Sequence, residues 1–453
     1  MKFPTRLQDL VPPDAVKQLL DVVSQPSLVS GFKEAAQKLG FKENWSPTQL
    51  QEMMQQAKKW VETVASKMFE DGEGQRPCVN ATGEFFSDRF PTRPMSAESI
   101  RALAMCFDGF TEGRMEPTFK NYLRAKGGVE EVAVFASLPE ALRSLTTAAR
   151  YRKPPSQGTW VLPRMDCVTL PSLQGPLPLL SILESTGADV MEIGASTECS
   201  ENELDHALSK GCCGVLTVEK ADPLLRNQQH RDLVLMVAKR YHVPVCEILL
   251  TGSVEPIPNI TPQATLVRDR LQAGAEWVVM AADGWLSGPP NGLVMGSHKA
   301  MQSVFDFQQA SGLLPRAWEI ATLNATLSDR MQANGQPVAP ILDLMATSIE
   351  NLTHRAQRIA AQIKSAKYVK DVHLEGRNWP IGHACWSGVT VATPILEIEC
   401  EGIAAKDLQS LLAKQPHPIL TRLEGDRLQL LLRTVPAADD HRIVDAFWPE
   451  SDS

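Results

Sequence analysis

The residues of this chain that could do chemistry stand at or just after the ends of short apolar runs. An amine, three hydroxyl groups and two carboxylates are candidates to line a ligand cleft: Ser137, Lys220, Glu247, Ser253, Asp283 and Ser287. If the apolar runs are parallel strands, their carboxyl ends meet at one edge of a sheet, which is where such sheets bind ligands. These side chains are therefore the first candidates for a functional site.

Lys220 has the most reactive group of the six, because an amine can attack a carbonyl group or move a proton. It follows the apolar run of residues 214–219 directly, which places it at the expected edge. Asp222 and Pro223 come next and are typical of a turn. A solvated lysine in that turn is the preferred interpretation, and a cleft amine is the alternative. Ser253 and Ser287 offer hydroxyl groups and nothing more specific.

Ser137 begins a turn that could either cap a helix or bind an anion. In Ser137-Leu138-Pro139-Glu140 the serine hydroxyl can cap the first turn, Pro139 has no N–H, and Glu140 completes a capping box. The Glu140 carboxylate would also repel a phosphate at the positive end of the helix. The pattern favours a self-capped helix, and a phosphate site at Ser137 is the alternative.

The nine cysteines and nine histidines show no metal-ligand spacing. The cysteine count is odd and no C-x-x-C pair occurs, so we expect reduced, mostly buried thiols and no metal site. His383 and Cys385 could form a nucleophilic pair, but no third group is placed to orient them. We expect these two residues and Trp386 to lie in a loop between a long helical stretch and the last α/β unit.

Strand-like and helical stretches alternate from about residue 76 to 305, which predicts βαβ units and a mostly parallel sheet covered on both faces. We predict a helical N-terminal segment over 1–75, a large domain over 76–305 and a small α/β domain with its connecting helix over 306–453. In the first segment, a capping pattern at residues 46–49 precedes apolar residues at helical spacing. We also expect helices over 262–273 and 341–363, and a hairpin pairing 419–423 with 428–433.

Composition describes an ordinary globular chain of 453 residues with 43% hydrophobic residues and a net charge of −8. Collagen-like, wholly disordered and small disulfide-stapled classes are excluded. The 45 basic against 53 acidic residues argue against a whole-surface nucleic-acid binder. No apolar run approaches the roughly 18 residues of a membrane helix. The residues after Met1 lack the apolar stretch of a signal peptide, so we expect a cytoplasmic protein.

Six short segments share their order and spacing with a known family. They are VNATG at 79–83, STGADVMEIG at 185–194, VPVCE at 243–247, LQAGAE at 271–276, LSGPPNG at 286–292 and RLEGDRL at 422–428. With them, over about residues 76–450, the chain resembles bacterial selenocysteine synthase, the L-seryl-tRNA(Sec) selenium transferase family, and related lyases of the D-glucosaminate-6-phosphate ammonia-lyase type. The resemblance implies an α/β aspartate aminotransferase-like fold (fold type I) and, in active members, pyridoxal phosphate.

The same resemblance locates two functional residues that this chain lacks. In the family a strand ends in Ser-Gly-Asp-Lys, and that lysine forms the aldimine with the coenzyme. Gly284 stands in its place, and no lysine occurs between Lys239 and Lys299. A family Glu-Asp-Leu-Gly-Ser-Gly pattern holds an aspartate against the pyridine nitrogen. Here Ile248 replaces that aspartate, and Glu247 should point to the other face of the strand.

The resemblance leaves three hypotheses about function. The first is a divergent, selenocysteine synthase-like pseudoenzyme without a cofactor, repurposed for binding, assembly or regulation, with a small anionic ligand as an option. The second is an active pyridoxal-phosphate transferase or lyase with either a displaced lysine, for which Lys220 is the candidate surrogate, or a reversibly held cofactor. In that hypothesis Ser137, Glu247, Ser253, Asp283 and Ser287 are the candidate cofactor contacts. The third is an RNA-binding module that keeps only the family's link to tRNA. The resemblance also implies a homo-oligomer of two or more chains.

Overall fold

The computed structural model describes residues 77–448 except 88, 91, 111–116, 152–157, 171–176, 222–226, 333–338 and 416. The chain divides into two units, Met1–Arg76 and Pro77–Ser453, and the described residues all belong to the second. The helices expected before residue 75, with their capping pattern at 46–49, lie outside the described residues. The boundary expected near residue 305 stays a prediction.

The strands of the described part form two main sheets and two small two-stranded sheets. In chain order the strands are β1 (Val79–Asn80), β2 (Glu131–Phe135), β3 (Trp160–Pro163), β4 (Thr169–Leu170), β5 (Leu177–Pro178), β6 (Val190–Ile193), β7 (Gly214–Glu219), β8 (Val245–Leu249), β9 (Ile260–Thr261), β10 (Trp277–Ala281), β11 (Gly292–Gly296), β12 (Val369–Pro380), β13 (Thr390–Cys400), β14 (Ile419–Leu420), β15 (Arg422–Glu424) and β16 (Arg427–Leu431).

The larger sheet has seven strands in the order β2-β11-β10-β8-β7-β3-β6. The pairs from β10 to β6 are parallel, and β11 is antiparallel to both of its neighbours. β11 reverses because the short turn after β10 allows only an antiparallel return, whereas the parallel pairs are joined by helical crossovers. The mostly parallel sheet expected from the sequence is confirmed.

Helices cover both faces of this sheet, and those near the end of the described part pack on the second main sheet instead. In chain order they are α1 (Ala97–Met105), α2 (Phe119–Gly127), α3 (Leu138–Tyr151), α4 (Leu179–Glu184), α5 (Glu201–Leu208), α6 (Asn227–Arg240), α7 (Val267–Ala273), α8 (His298–Ser311), α9 (Ala317–Gln332), α10 (Pro340–Ala346), α11 (Ile349–Ile363), α12 (Ala405–Ala413) and α13 (Asp440–Phe447). Along β7, Val215 packs in one core, whereas Leu216 and Val218 pack in the other. This alternation buries both faces of the strand.

Two expected helices differ from the structure. The helix expected over 262–273 begins only at Val267, because residues 260–261 pair with β13 as strand β9. The stretch 341–363 is two helices rather than one. α10 ends at Ala346, and Ser348 then caps α11 by accepting a hydrogen bond from Asn351 N at 3.2 Å. A new capping residue can end one apolar periodicity and start another without a visible break.

The second main sheet has β12, β13, β16 and β15 in order, with β9 paired to β13. Only part of the expected hairpin forms: β15 pairs with β16, while β14 pairs in parallel with β1, near the start of the described part. The long strand β12 was not expected. It runs antiparallel to β13 over nearly its whole length. His383, Cys385 and Trp386 lie in a connecting segment, as expected, but it joins β12 to β13 within this sheet rather than leading from the helical stretch into it.

A hydrophobic cluster joins the two main sheets at the carboxyl edge of the larger one. Its buried members come from five separate parts of the sequence: Phe85, Phe86, Ile257, Ile260, Trp285, Ile341, Met345, Ile381, Trp386, Val389 and Val391. Ala221 and Cys385 pack against the cluster at its border. The edge at which ligands would be sought is thus partly occupied by apolar side chains of the chain itself.

Candidate functional site

Gly284 lies in the turn that follows β10, at the carboxyl edge of the larger sheet. A Cβ atom built on Gly284 would be 3.9 Å from Ala281 O and 4.0 Å from Trp386 Cζ2. Both distances are ordinary van der Waals contacts, so the backbone does not require glycine here. A longer side chain at this position would nevertheless start against the indole ring of Trp386.

Three aromatic rings pack together in front of Gly284. Phe86 stacks on Trp386 with a centroid distance of 3.8 Å and an interplanar angle of 13°. Trp285 meets both rings edge-on, at 5.1 Å from Phe86 and 5.4 Å from Trp386. The indole N–H of Trp285 donates to Thr251 O at 3.0 Å, which satisfies its polar group. This arrangement is a specific, fully packed aromatic contact between segments far apart in sequence.

Asp283, a predicted cleft residue, forms an ion pair with Arg93. Its carboxylate accepts a hydrogen bond from Arg93, whose guanidinium also lies 5.2 Å from the ring centre of Phe86. Burial raises the pKa of Asp283, and the charge of Arg93 partly opposes that rise. The pair therefore closes one side of the aromatic cluster and leaves little of the Asp283 carboxylate for a ligand.

Glu247 and Ile248 point to opposite faces of β8, as the alternation of strand side chains requires. Ile248 is fully buried in the core that contains α3. The Glu247 carboxylate lies on the other side, where it accepts hydrogen bonds from Arg231 at 3.0 Å and from two nitrogens of Arg270 at 2.8 Å. Glu247 is therefore not a cleft residue, because its oxygens are held by two arginines. Successive side chains along a strand point to opposite faces, and no bulge in β8 turns Glu247 back to the face of Ile248.

The turn before α3 is capped and tightly packed. Ser137 Oγ accepts a hydrogen bond from Glu140 N at 3.3 Å, which confirms the expected cap. A Cβ atom on Gly292 would collide with Ser137 O and come within 2.7 Å of Ala141 Cβ, so β11 lies directly against this turn. Only glycine allows so close an approach. Asn291 adds a hydrogen bond from Nδ2 to Phe135 O at 2.9 Å.

Lys220 lies at the carboxyl edge, as expected for the residue after β7. Its Nζ donates a hydrogen bond to Met165 O, in the turn after β3. Because β3 borders β7 on the side away from β8 and β10, the amine is drawn away from Gly284. The expected solvated lysine is thus a half-buried lysine with a backbone partner.

The two candidate serines are both buried but differ in their surroundings. Ser253 Oγ accepts a hydrogen bond from Glu255 N at 3.3 Å, and its backbone bridges to Leu266, so it organises a loop rather than a cleft. Ser287 has a φ of 54°, in the left-handed region that favours glycine. Among the described residues its buried hydroxyl has no hydrogen-bond partner. It occupies the turn after Gly284.

Sequence reasoning missed several buried polar groups near this edge. Glu219, the last residue of β7, accepts hydrogen bonds from Thr251 N at 2.8 Å and Thr251 Oγ1 at 2.6 Å. Asp166 and His230 form a buried pair with Oδ2 and Nε2 2.9 Å apart. The partners in each pair are 32 and 64 residues apart, so no local spacing could have revealed them.

Glu219→Gln is expected to become more stable relative to the wild type as pH rises. Burial raises the pKa of Glu219 above its usual 4.5, although Thr251 and Arg231 partly oppose that rise. Well below pH 4.5 the carboxyl group is protonated in both the folded and the unfolded state. As pH rises towards the folded-state pKa, the wild type loses stability that the glutamine variant keeps. Urea unfolding at several pH values between 4 and 8 measures the difference.

Glu203→Gln is the matched control for that experiment. Hydrogen bonds from Ser200 lower the pKa of Glu203, so this substitution should cost stability at neutral pH and lose its effect as pH falls. With rising pH, the stability relative to the wild type should therefore increase for Glu219→Gln and decrease for Glu203→Gln. A stability difference for Glu219→Gln that does not change with pH would contradict the assignment for Glu219.

No group of three or more histidine, cysteine, aspartate or glutamate side chains among the described residues is arranged to hold a metal ion. Within the same part of the chain, no helix has the length and apolar character needed to cross a membrane.

Comparisons with known proteins agree on one family. The family model described as SelA, L-seryl-tRNA selenium transferase, matches residues 170–436. A protein from Carboxydothermus hydrogenoformans named L-seryl-tRNA(Sec) selenium transferase is 20% identical over 435 residues, covering 93% of this chain and 88% of its own length. One of the same name from Nitratidesulfovibrio vulgaris is 24% identical, covering 59% of this chain and 58% of its own. Several relatives are thus matched over less than two thirds of their length.

A solved structure supports the fold independently of these names. The structure titled D-glucosaminate-6-phosphate ammonia-lyase superposes with a TM-score of 0.60 at 16% identity, covering 82% of this chain and 95% of that one. At this identity the similarity concerns the fold alone. The aspartate aminotransferase-like architecture expected from the sequence is therefore confirmed.

Proposed function

This chain belongs to the L-seryl-tRNA selenium transferase family, and from that premise we propose that it is a divergent member without pyridoxal-phosphate aldimine chemistry, repurposed for binding, assembly or regulation. One observation carries the proposal. At the position where the family has its coenzyme-binding lysine, Gly284 offers no amine and faces the indole ring of Trp386 at contact distance. A covalently held coenzyme needs that amine as its anchor.

The replacement at residue 248 supports the proposal through a separate requirement. The coenzyme acts as an electron sink when a carboxylate keeps its pyridine nitrogen protonated. Ile248 is buried and apolar, and the neighbouring carboxylate of Glu247 is bound to Arg231 and Arg270 on the opposite face. The residues of this strand therefore do not fit pyridoxal phosphate.

The start of α3 supports the proposal at a third position. A phosphate group would need free N–H groups in this turn. Ser137 instead caps Glu140, and β11 packs against the turn at Gly292. A small anionic ligand at Ser137 remains part of the proposal only as an option, since the cap already uses the hydroxyl group.

The second candidate function is an active transferase or lyase with Lys220 as a surrogate amine. Lys220 favours it by lying at the correct edge of the sheet. The hydrogen bond from its Nζ to Met165 O weighs against it, because that bond directs the amine towards β3 and away from Gly284. We therefore place this function second.

A labelling experiment distinguishes the two functions. Pyridoxal phosphate added to the purified chain and reduced with borohydride is expected to leave only scattered, substoichiometric labels on surface lysines. Gly284→Lys should not change this result, because Ile248 and Trp386 remain. Lys220→Ala is the matched control. Peptide mapping that finds one stoichiometric lysine label, absent from Lys220→Ala, would establish the active-enzyme alternative instead.

The partners of the chain are also proposals. We propose a homo-oligomer, supported by four exposed apolar side chains in and after α1: Ile100, Met105, Phe107 and Phe110. Exposed apolar residues this close in sequence favour an association site. The mass of the full chain in light scattering should exceed that of one copy. Binding to tRNA rests on the names of the relatives alone.

A further inference from the structure

Residues 381–389, which connect β12 to β13, form a closed loop that we call the strap. Its two ends are joined by a hydrogen bond from Ile381 N to Val389 O at 3.0 Å. Within it, Ala384 has a φ of 50°, an unusual conformation for a residue with a side chain. Such a conformation persists only where surrounding contacts hold it. The strap is therefore a segment with a defined backbone conformation rather than an irregular connection.

The first half of the strap is fixed to residues 84–86. Ile381 O accepts hydrogen bonds from Phe85 N at 2.7 Å and Phe86 N at 3.1 Å, and His383 N donates to Phe86 O at 3.0 Å. A Cβ atom on Gly382 would collide with Phe86 O, so the two backbones touch. Glu84, itself bound by Arg422, lies 2.9 Å from His383 Nε2.

The second half of the strap reaches the carboxyl edge of the seven-stranded sheet. Cys385 O accepts a hydrogen bond from Ala221 N at 3.2 Å, two residues beyond the end of β7. Trp386 then inserts between Phe86, Trp285 and Gly284 and is only 8% exposed. One short segment of the second sheet thus contacts the first sheet through a backbone hydrogen bond and its largest side chain.

We propose that the strap is a latch that holds the two main sheets at one fixed angle, with Trp386 as its anchor. Opening the space between the sheets would break the bond from Ala221 N and the edge-on contact of Trp386 with Trp285, and would expose the indole ring on that side. Burial of an aromatic side chain of this size stabilises the closed arrangement strongly. The inference goes beyond the proposed function, because it concerns motion and holds whatever the chain binds.

Hydrogen exchange on the full chain tests the latch. The amide of Ala221, whose hydrogen bond joins the two sheets, should exchange no more than about tenfold faster than those of the central strand β8, because it should open only with global unfolding. Trp386→Ala should accelerate it by about a hundredfold or more while β8 keeps its protection. Trp448→Ala, which removes a half-exposed indole outside the strap, should leave the rate at Ala221 unchanged.

Two outcomes would overturn the latch. One is wild-type exchange at Ala221 about a thousandfold faster than in β8, which would mean frequent local opening. The other is Trp386→Ala with an unchanged rate at Ala221. If the alanine variant unfolds globally, Trp386→Phe decides, because it keeps a ring against Phe86 and should give an intermediate rate. One stoichiometric lysine label in the coenzyme experiment, absent from Lys220→Ala, would refute the proposed function and leave these rates unaffected.

Discussion

Ile248→Asp is expected to lower the free energy of unfolding by about 3–5 kcal/mol, the cost of an uncompensated buried charge. Ile248 is 0% exposed and packs in an apolar core. In the family pattern an aspartate at this position faces the charged ring of the coenzyme, whereas the arginines beside Glu247 lie across the strand. Among the described residues, the introduced carboxylate would thus face the apolar side chains of that core. Urea unfolding at pH 7 measures the loss.

The pH dependence and a conservative variant show whether the loss of stability comes from a buried charge or from lost packing. Burial should raise the pKa of the introduced carboxyl group above the usual aspartate value of about 3.9, so the deficit should shrink as pH falls towards 4. Ile248→Val, which removes one methylene group, should cost only about 0.5–1.5 kcal/mol at every pH. A loss below about 1 kcal/mol for the aspartate variant would mean that residue 248 meets water or a cation, as an open coenzyme cleft would provide.

Glu247→Ala is expected to lower the free energy of unfolding by a similar amount, because it removes a buried charge instead of adding one. The carboxylate between Arg231 and Arg270 is lost, and both buried guanidinium groups lose this partner, which costs about 3–5 kcal/mol. Given total stabilities of about 5–15 kcal/mol, the variant should unfold at far lower urea concentration. Thermal and urea unfolding both measure the change.

Glu401→Gln is the control for that substitution, because Glu401 is exposed. Its effect should stay within about 0.5 kcal/mol of the wild type. Glu247→Gln should fall between the two, since the amide oxygen can still accept from one arginine. A Glu247→Ala variant as stable as the control would show that the network adds nothing to folding.

The order of strands and helices could be predicted well because its signal is local. Apolar runs such as 131–135 and 277–281 predict buried strands, and the stretches between such runs have helical periodicity. β12 was missed because most of its residues are half-buried or exposed without a strict alternation, and several of them are charged. β14 was assigned to a hairpin because its true partner, β1, lies more than 300 residues earlier.

The candidate site was predictable only where it depends on residue type. Gly284 and Ile248 stand out because glycine has no amine and isoleucine has no carboxylate, so their positions in a recognised pattern are enough. The packing of Trp386 against Phe86 joins residues 300 positions apart, and its geometry comes from tertiary contacts alone. The arginine partners of Glu247 are 16 and 23 residues away, so no helical or strand period connects them.

These observations combine into one physical account of the site. The aminotransferase-like scaffold is intact, but the edge where a coenzyme would bind has an aromatic cluster, an ion pair between Arg93 and Asp283 and a capped helix start. Each of these contacts stabilises the scaffold itself. Under the proposed function, in which the chain holds no coenzyme, these packing interactions would occupy the surface that a coenzyme needs, which suits a role in binding or assembly.

The most direct measurement is a crystallographic density map of the full chain crystallised with excess pyridoxal phosphate. Our account predicts the indole ring of Trp386 in contact with Gly284, and lysine side chains at this edge, Lys220 included, that end at their own Nζ atoms. Coenzyme density bonded to a side-chain nitrogen there, with Trp386 displaced from Gly284, would contradict it.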